Sequence, residues 1–232
     1  MQRVLITGSN RGLGLEWVRQ CAGRGWRVFA TCRDPDSAAD LQDLADQYSS
    51  VSLHRLDVTD ASQIDDLAES LGDEAIDLLV NNAGVYFERW GKDSVGSIRY
   101  EDWEETFRVN TLGPMRLTEA SLPHLARGER PLVLAITSHM GSIADIETPR
   151  DYAYRSSKAA LNAAMHGLAH ELQPRGIGVL LLHPGWVRTR MGGSSAPISS
   201  KESVRGMLSL VDDYEPNLSG AFFRFDGTRM PW

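Results

Sequence analysis

Seven short apolar segments alternate with longer segments of helical pattern along the whole chain. The short segments are almost entirely apolar, which is typical of strands covered on both faces. The alternation predicts successive β-α-β units, and therefore an α/β fold with one doubly wound sheet of about seven parallel strands and helices on both faces. Because 232 residues suit one large α/β domain, we expect residues 1–232 to form a single domain. The expected strands are Arg3–Thr7, Arg27–Thr31, Val51–Leu56, Ile76–Val80, Leu132–Thr137, Ile177–Leu182 and Ala221–Phe225, and the expected helices are Gly12–Arg24, Ser37–Tyr48, Ala61–Leu71 (with Asp60 as its N-cap), Trp103–Ala126, Tyr154–Leu172 and Lys201–Val211.

The composition excludes several classes of protein. A net charge of -7 argues against broad binding to nucleic acid or to anionic membranes. The two cysteines, Cys21 and Cys32, form neither a disulfide framework nor a metal-ligand pattern. No apolar segment approaches the ~20 residues needed to span a bilayer. Because the N-terminus leads directly into an expected strand, we expect no signal peptide. We therefore expect a cytoplasmic protein with no metal, no nucleic-acid partner and no membrane partner.

The least regular segments each follow an expected strand. They are Val85–Tyr100, Ser142–Arg150 and Arg190–Ser200. Parallel sheets of this kind bind ligands at the carboxyl ends of their strands. We therefore expect these three loops to shape a substrate pocket.

A glycine-rich turn follows the first expected strand. Gly8 lets the chain turn sharply off the strand, Gly12 lets the backbone approach a pyrophosphate closely, and Gly14 lets the new helix pack on the sheet. The amino end of that helix supplies N–H donors to phosphates. A turn that only packs tightly is the alternative, but its position between the first strand and a helix favours phosphate binding.

Tyr154 and Lys158 are spaced to lie side by side. They are four positions apart in an expected helix, so they share one face, whereas Tyr152 pairs in the same way with Ser156. A neighbouring cation favours the charged form of a phenol, and a tyrosine adjusted in this way can donate or accept a proton. A surface tyrosine beside a surface lysine is the alternative reading of this spacing alone.

The sequence resembles the short-chain dehydrogenase/reductase family over essentially its whole length, and most closely the branch that contains C-factor and the sniffer carbonyl reductase. The family has a Rossmann-type sheet, and the resemblance implies hydride transfer between a nicotinamide cofactor and a small-molecule carbonyl or alcohol. It rests on motifs that occur in order at suitable spacings: Thr7-Gly8-x-x-x-Gly12-x-Gly14, Asn81-Asn82-Ala83-Gly84, Ser138 ahead of Tyr154-x-x-x-Lys158, and Pro184-Gly185 with Thr189 beyond it.

The resemblance implies a role for each residue of a catalytic set. Tyr154 would be the acid/base, Ser138 would hydrogen-bond the reacting oxygen, and Lys158 would lower the pKa of the tyrosine and bind the nicotinamide ribose. Asn110 would hold a water next to the lysine. Ser142 is a rival for the serine role, but Ser138 is preferred because it directly follows an apolar strand. Ser138 and Tyr154 are 16 positions apart, more than is usual in the family, so we expect a bulge within 144–150.

The resemblance also implies NADP(H) as the cofactor. NAD-dependent members place an acid at the end of the second strand, where this chain has Cys32. Arg33 follows it, and Arg11 lies in the glycine turn, so both are expected to hold the 2′-phosphate. Asp34 as a displaced ribose acid is the alternative. The other expected cofactor contacts are Gly8, Asn10, Gly12, Leu13 and Gly14 in the turn, Asp57 and Val58 at the adenine, Asn81, Ala83 and Gly84 after the fourth strand, Pro184, Val187 and Thr189 at the nicotinamide, and Tyr154 and Lys158. For Asn81 and Gly84, bracing the central strands is an equal alternative to cofactor contact.

These features favour an NADP(H)-dependent carbonyl reductase or alcohol dehydrogenase. The alternative is a C-factor-like nucleotide-binding signalling protein with little turnover, which would not need the complete catalytic set. His166 and His170 form an i, i+4 pair, but no third ligand accompanies them in a recognisable pattern. Subunits of the family commonly pair through the helices corresponding to Trp103–Ala126 and Tyr154–Leu172, so we expect a homo-oligomer, either a dimer or a tetramer.

Overall fold

A computed structural model describes residues 1–88 and 94–232. Its seven strands form one parallel sheet in the order β3-β2-β1-β4-β5-β6-β7. The strand order reverses between β1 and β4, and such a reversal opens a crevice at the carboxyl edge of the sheet. The expected fold is confirmed. The strands are β1 (Arg3–Thr7), β2 (Arg27–Cys32), β3 (Val51–Arg55), β4 (Leu78–Asn81), β5 (Leu132–Ile136), β6 (Gly178–His183) and β7 (Phe222–Arg224).

The helices cover both faces of the sheet. They are α1 (Gly12–Gly23), α2 (Ala39–Gln47), α3 (Ala61–Leu71), α4 (Tyr100–Phe107), α5 (Gly113–Leu125), α6 (Tyr152–Leu172) and α7 (Ser200–Asp212). Asp60 caps α3 as expected, because its carboxylate accepts hydrogen bonds from the backbone N–H groups of Ser62 and Gln63 at 3.0 and 3.3 Å.

The expectation of one continuous helix over Trp103–Ala126 is wrong. The segment is divided into α4, a π-helical turn at Arg108–Leu112, and α5. Pro114 explains the break, since it has no N–H to donate to the carbonyl of Asn110, four residues earlier. π-Helical turns are rare and occur frequently at functional sites.

The core lies in two apolar layers, one on each side of the sheet. Alternate residues of β1 point to opposite layers, so that Val4 and Ile6 join the layer of α1, α2 and α7, whereas Leu5 joins the layer of α3, α5 and α6. All three are fully buried, and burying such a side chain contributes roughly 1.5–3 kcal/mol. The two layers hold the central strands rigidly, which fixes the positions of the loops at their carboxyl ends.

Two features were searched for in the part of the chain that the structure describes: membrane-spanning helices and groups of metal-binding side chains. Among residues 1–88 and 94–232, no helix is both long and apolar enough to cross a bilayer. In the same ranges, no three His, Cys, Asp or Glu side chains are grouped so that they could hold a metal ion. Residues 89–93 of the expected pocket loop Val85–Tyr100 lie outside the described residues.

Candidate active site

The glycine turn joins β1 to α1 in a shape that needs glycine. Gly8 and Gly12 have φ values of +67° and +56°, in the left-handed region where other residues are strained. A Cβ on Gly14 would lie 2.1 Å from the carbonyl oxygen of Gly8, so a side chain there would prevent α1 from approaching the strand. The turn thus brings the amino end of α1 to the crevice, with Asn10 exposed and Leu13 packed against the core.

Thr7 and Asn82 tie the glycine turn to the end of β4. The hydroxyl of Thr7 accepts hydrogen bonds from the backbone N–H groups of Asn82 and Ala83, both at 2.9 Å. The side chain of Asn82 donates to the carbonyl of Thr7 at 2.8 Å. Asn81 instead turns its side chain to the hydroxyl of Thr118, at 3.1 Å, and so braces β4 against α5. Sequence reasoning named the motif but not Asn82 as the residue that joins the two loops.

Asn110 holds the chain segment that follows β4. Its side-chain oxygen accepts from the N–H of Val85 and its side-chain nitrogen donates to the carbonyl of the same residue, each at 2.9 Å. The nitrogen also donates to the hydroxyl of Ser157 on α6, at 3.1 Å. A Cβ on Gly84 would lie 3.3 Å from the Asn110 oxygen and 3.8 Å from Nζ of Lys158. The π-helical turn therefore brings Asn110 next to Gly84 and Lys158.

Tyr154 meets Ser138 where β5 and α6 approach each other. Both residues are buried, and the hydroxyl of Ser138 hydrogen-bonds the Tyr154 side chain. The same hydroxyl accepts from the N–H of Met140 at 3.1 Å, which fixes the Ser138 side chain. Ser142 lies elsewhere: its hydroxyl donates to the carbonyl of Trp232 at 3.1 Å. The geometry therefore supports Ser138 over Ser142 as the partner of the tyrosine.

Burial is the main cause of the pKa shifts of Tyr154 and Lys158 on α6. It raises the pKa of Tyr154 to about 12, against a smaller lowering by the Ser138 hydrogen bond. It also lowers the pKa of Lys158 to about 8. Nζ of Lys158 lies 5.9 Å from the centre of the Tyr154 ring and donates to the carbonyl of Ile136 at 2.9 Å. The lowering of the tyrosine pKa by Lys158 stays a prediction.

Three arginines surround the outer end of the glycine turn. Burial lowers the pKa of Arg11, and the positive charges of Arg190 and Arg33 lower it further. All three side chains are exposed. Sequence reasoning predicted Arg11 and Arg33 but missed Arg190, which follows Thr189 in the loop after β6. The alternative acid, Asp34, accepts a hydrogen bond from the hydroxyl of Ser37 at 2.6 Å.

The remaining expected contacts lie along the same edge of the sheet. Thr189 lies against the glycine turn, since its Cγ2 would be 3.4 Å from a Cβ on Gly12. The Asp57 carboxylate accepts from the N–H of Thr59 at 2.9 Å, and the side chain of Val58 is buried. In the loop after β6, Val187 is buried and the carbonyl of Pro184 accepts from Ser203.

A cavity of about 480 Å³ lies beside the amino end of α6. Its lining is mainly apolar and includes Trp103, Met140, Ile143, Ile146 and Tyr152. Tyr152, the other tyrosine of the segment, thus faces a different space from Tyr154 and is only partly buried.

A comparison with models of protein families shows which family the chain belongs to. The family model described as short chain dehydrogenase matches residues 2–198. The chain belongs to the short-chain dehydrogenase family. Sequence reasoning identified this family correctly from its motifs.

Members of the short-chain dehydrogenase family resemble the chain in sequence. C-signal of Myxococcus xanthus is 46% identical over 157 residues, which cover 68% of this chain and 93% of C-signal. The 1-hydroxy-2-glutathionyl-2-methyl-3-butene dehydrogenase of Rhodococcus is 34% identical to this chain, and the match covers 100% of both proteins.

Solved structures of the family show the same fold. The NADPH-bound carbonyl reductase from chicken fatty liver has a TM-score of 0.93 at 34% identity, covering 100% of this chain and 99% of that one. The carbonyl reductase Sniffer of Drosophila melanogaster has a TM-score of 0.92 at 33% identity, covering 100% of both. These matches support the branch inferred from the sequence.

Proposed function

We propose that this protein is an NADP(H)-dependent oxidoreductase that transfers a hydride between the nicotinamide and a carbonyl or alcohol substrate. The observation that carries the proposal is the meeting of Ser138, Tyr154, Lys158 and Asn110 at the carboxyl edge of the sheet, beside the glycine turn. We further propose that residues 1–232 act as one domain, since the described strands form a single sheet.

Bound NADPH would supply the hydride. Tyr154 protonates the carbonyl oxygen in reduction and accepts the alcohol proton in oxidation, and its raised pKa keeps it protonated as the acid for reduction. Ser138 holds the same oxygen through its hydroxyl and stabilises the charge that develops there. The hydrogen bond between the two side chains supports this division of roles.

Lys158 and Asn110 return protons to the tyrosine. Lys158 also binds the nicotinamide ribose. Asn110 holds a water beside the lysine. The short distance from both side chains to Gly84 supports the relay.

The cofactor assignment rests on the phosphate end of the site. Arg11, Arg33 and Arg190 converge at the glycine turn, and arginine forks suit a phosphate dianion. Asp34, the alternative ribose acid, accepts a hydrogen bond from the hydroxyl of Ser37. The NADPH-bound carbonyl reductase from chicken fatty liver supports the same choice. Gly8, Gly12 and Gly14 would hold the pyrophosphate. Asp57 and Val58 would contact the adenine, and Pro184, Val187 and Thr189 would contact the nicotinamide.

The signalling alternative is not favoured. The observation in its favour is the sequence similarity to C-signal. A binding module would not need a buried serine–tyrosine pair with a buried lysine four residues beyond it, and both features are present here. We therefore keep turnover of a small carbonyl or alcohol as the function, in the cytoplasm and without a nucleic-acid partner.

We also propose that the protein is a homo-oligomer that pairs through α4, α5 and α6. Tyr100 and Leu112 are exposed apolar side chains on α4 and the π-helical turn that follows it, 64% and 44% accessible. Ile143 and Ile146 add to this surface beside α6. Sedimentation velocity would give a dimer or tetramer, and a monomer at all concentrations would contradict the proposal.

A substrate screen with a matched pair of variants tests the function. Aldehydes, ketones, quinones and 3-oxoacyl esters are offered with NADPH, and the loss of its absorbance is followed. We expect Tyr154→Phe to lower turnover by ~10²–10⁴-fold, the usual contribution of an acid/base group, with NADPH affinity nearly unchanged. Tyr152→Phe is the control and should keep its activity. A dead Tyr152→Phe beside an active Tyr154→Phe would refute the assignment.

A further inference from the structure

The amino end of α6, which carries Tyr154, is not capped by its own residues. Asp151 stands at the N-cap position, yet its side chain accepts no hydrogen bond from the helix. It bonds the hydroxyl of Tyr86 instead. Arg150 and Asp151 have φ values of +79° and +57°, left-handed conformations that non-glycine residues adopt at a cost. The first N–H groups of a helix need acceptors, so they must come from elsewhere.

Glu88 supplies those acceptors from a distant part of the chain. One carboxylate oxygen accepts from the N–H of Ala153 at 3.0 Å, and the other accepts from the N–H of Tyr154 at 2.8 Å. Glu88 is only 6% exposed. A buried glutamate is rare unless it is paired, and here two charge-assisted hydrogen bonds and the positive end of the helix dipole compensate its charge.

The same segment also contacts the Tyr154 ring. The ring of Tyr86 lies 4.7 Å from it, centre to centre. One residue before, Val85 is held through both backbone groups by Asn110. The segment from Val85 to Glu88 thus runs from the proton relay to the backbone of Tyr154.

We propose that Glu88 is a positioning residue for Tyr154. It binds the backbone N–H of that residue and thereby fixes the ring at the distance from Ser138 and Lys158 that proton transfer needs. The inference rests on the proposed function, because it assumes that Tyr154 is the acid/base. Its carboxylate does not touch substrate or cofactor in this role.

The contact also predicts a split between the kinetic constants. Glu88 binds the backbone of Tyr154 and touches neither substrate nor cofactor, so its loss should lower kcat and leave the KM for NADPH nearly unchanged. Glutamine keeps one side-chain oxygen as an acceptor and should restore part of kcat. A cap that served only stability would leave kcat unchanged.

Four variants separate positioning from simple helix capping. Glu88→Ala removes both hydrogen bonds and Glu88→Gln keeps one acceptor. Asp60→Ala is the matched control, since it removes a carboxylate cap from α3, which carries no residue of the site. Tyr154→Phe reports on the proposed function itself.

We expect Glu88→Ala to lower kcat by about 100-fold, the scale of a misplaced reacting group, with the KM for NADPH nearly unchanged. Glu88→Gln, which keeps one acceptor, should recover part of this loss. Asp60→Ala should lower the melting temperature and leave kcat unchanged. Amide hydrogen exchange at Ala153 and Tyr154 should be fast in Glu88→Ala and slow in the wild type.

Each failure has its own signature. Wild-type kcat in both Glu88 variants would overturn the inference, even if Tyr154→Phe is inactive. Unchanged amide exchange would overturn the contact itself, independently of any activity. An active Tyr154→Phe would refute the proposed function while the exchange measurement still tested the contact.

Discussion

Ser138 and Ser142 show how two serines four residues apart serve different purposes. Ser138 stands at the end of β5, hydrogen-bonds Tyr154 and accepts from the N–H of Met140. Ser142 is fully buried, donates to the carbonyl of Trp232, and accepts from the N–H of Asp145 at 3.3 Å. The first serine faces the reacting oxygen of the proposed mechanism, and the second holds the chain's last residue against the loop after β5.

Replacing each serine by alanine should separate these purposes. Ser138→Ala is expected to lower kcat by about 10²–10³-fold, because it removes one donor to the charge that develops on the oxygen. Ser142→Ala should keep most of kcat and lower the melting temperature, because it removes a buried hydroxyl that bonds both the carbonyl of Trp232 and the N–H of Asp145. Steady-state kinetics and thermal melts of both variants check this, and a reversed order of kcat would give the oxygen-binding role to Ser142.

Residues close together in sequence were predictable, whereas those joined across the fold were not. The spacing of Tyr154 and Lys158 places them on one helix face whatever surrounds them. Glu88 and Asn82 carry no local pattern, since their partners are 66 and 75 positions away. The raised pKa of Tyr154 was equally hidden, because it depends on burial that only the folded chain creates.

At the scale of elements, helix α6 carries both ends of the proposed proton path. Its amino end is capped by Glu88, and its second turn places Lys158 under the sheet edge. The long helix expected before it is interrupted where Pro114 removes a hydrogen bond. Helical periodicity alone cannot reveal a π-helical turn, because the apolar pattern continues through it.

Lys158 gives α6 a measurable pH signature. Burial lowers the pKa of Lys158 from 10.5 to about 8. Between these values the unfolded chain binds more protons at this side chain than the folded chain, so its contribution to stability increases as the pH rises from about 8 to 10.5. Below pH 8 both states are protonated and the cost of the buried charge is fully present.

Comparison with a variant isolates this contribution. The free energy of unfolding of the wild type relative to Lys158→Met should rise by about 3 kcal/mol between pH 8 and 10.5, as the shift in pKa implies. Urea denaturation at several pH values measures it. Lys201→Met, on the exposed surface of α7, is the control and should show no such trend. A difference that stays constant over this range would contradict the burial of a charged lysine.

Across the whole molecule, negative charges outnumber positive ones, but positive charge is concentrated at the glycine turn. The net charge is -7, yet Arg11, Arg33 and Arg190 converge from three separate segments on the outer end of one turn. Like charges in proximity repel, so the arrangement costs stability unless an anion is bound. The glycine turn, the end of β2 and the loop after β6 meet only because the sheet brings their strands to one edge.

This convergence predicts a preference for NADPH over NADH. The 2′-phosphate is the group that distinguishes the two cofactors, and a charge-assisted hydrogen bond to it contributes roughly 1.5–3 kcal/mol. Arg33→Ala should therefore weaken NADPH binding by about tenfold or more and hardly change NADH binding. Arg11→Ala and Arg190→Ala should act in the same direction. Arg205→Ala, on the exposed surface of α7, is the control. Fluorescence titration with both cofactors, together with kcat/KM, decides the matter: a wild type that prefers NADH, or an Arg33→Ala variant that loses both cofactors equally, would show that these arginines do not read the phosphate.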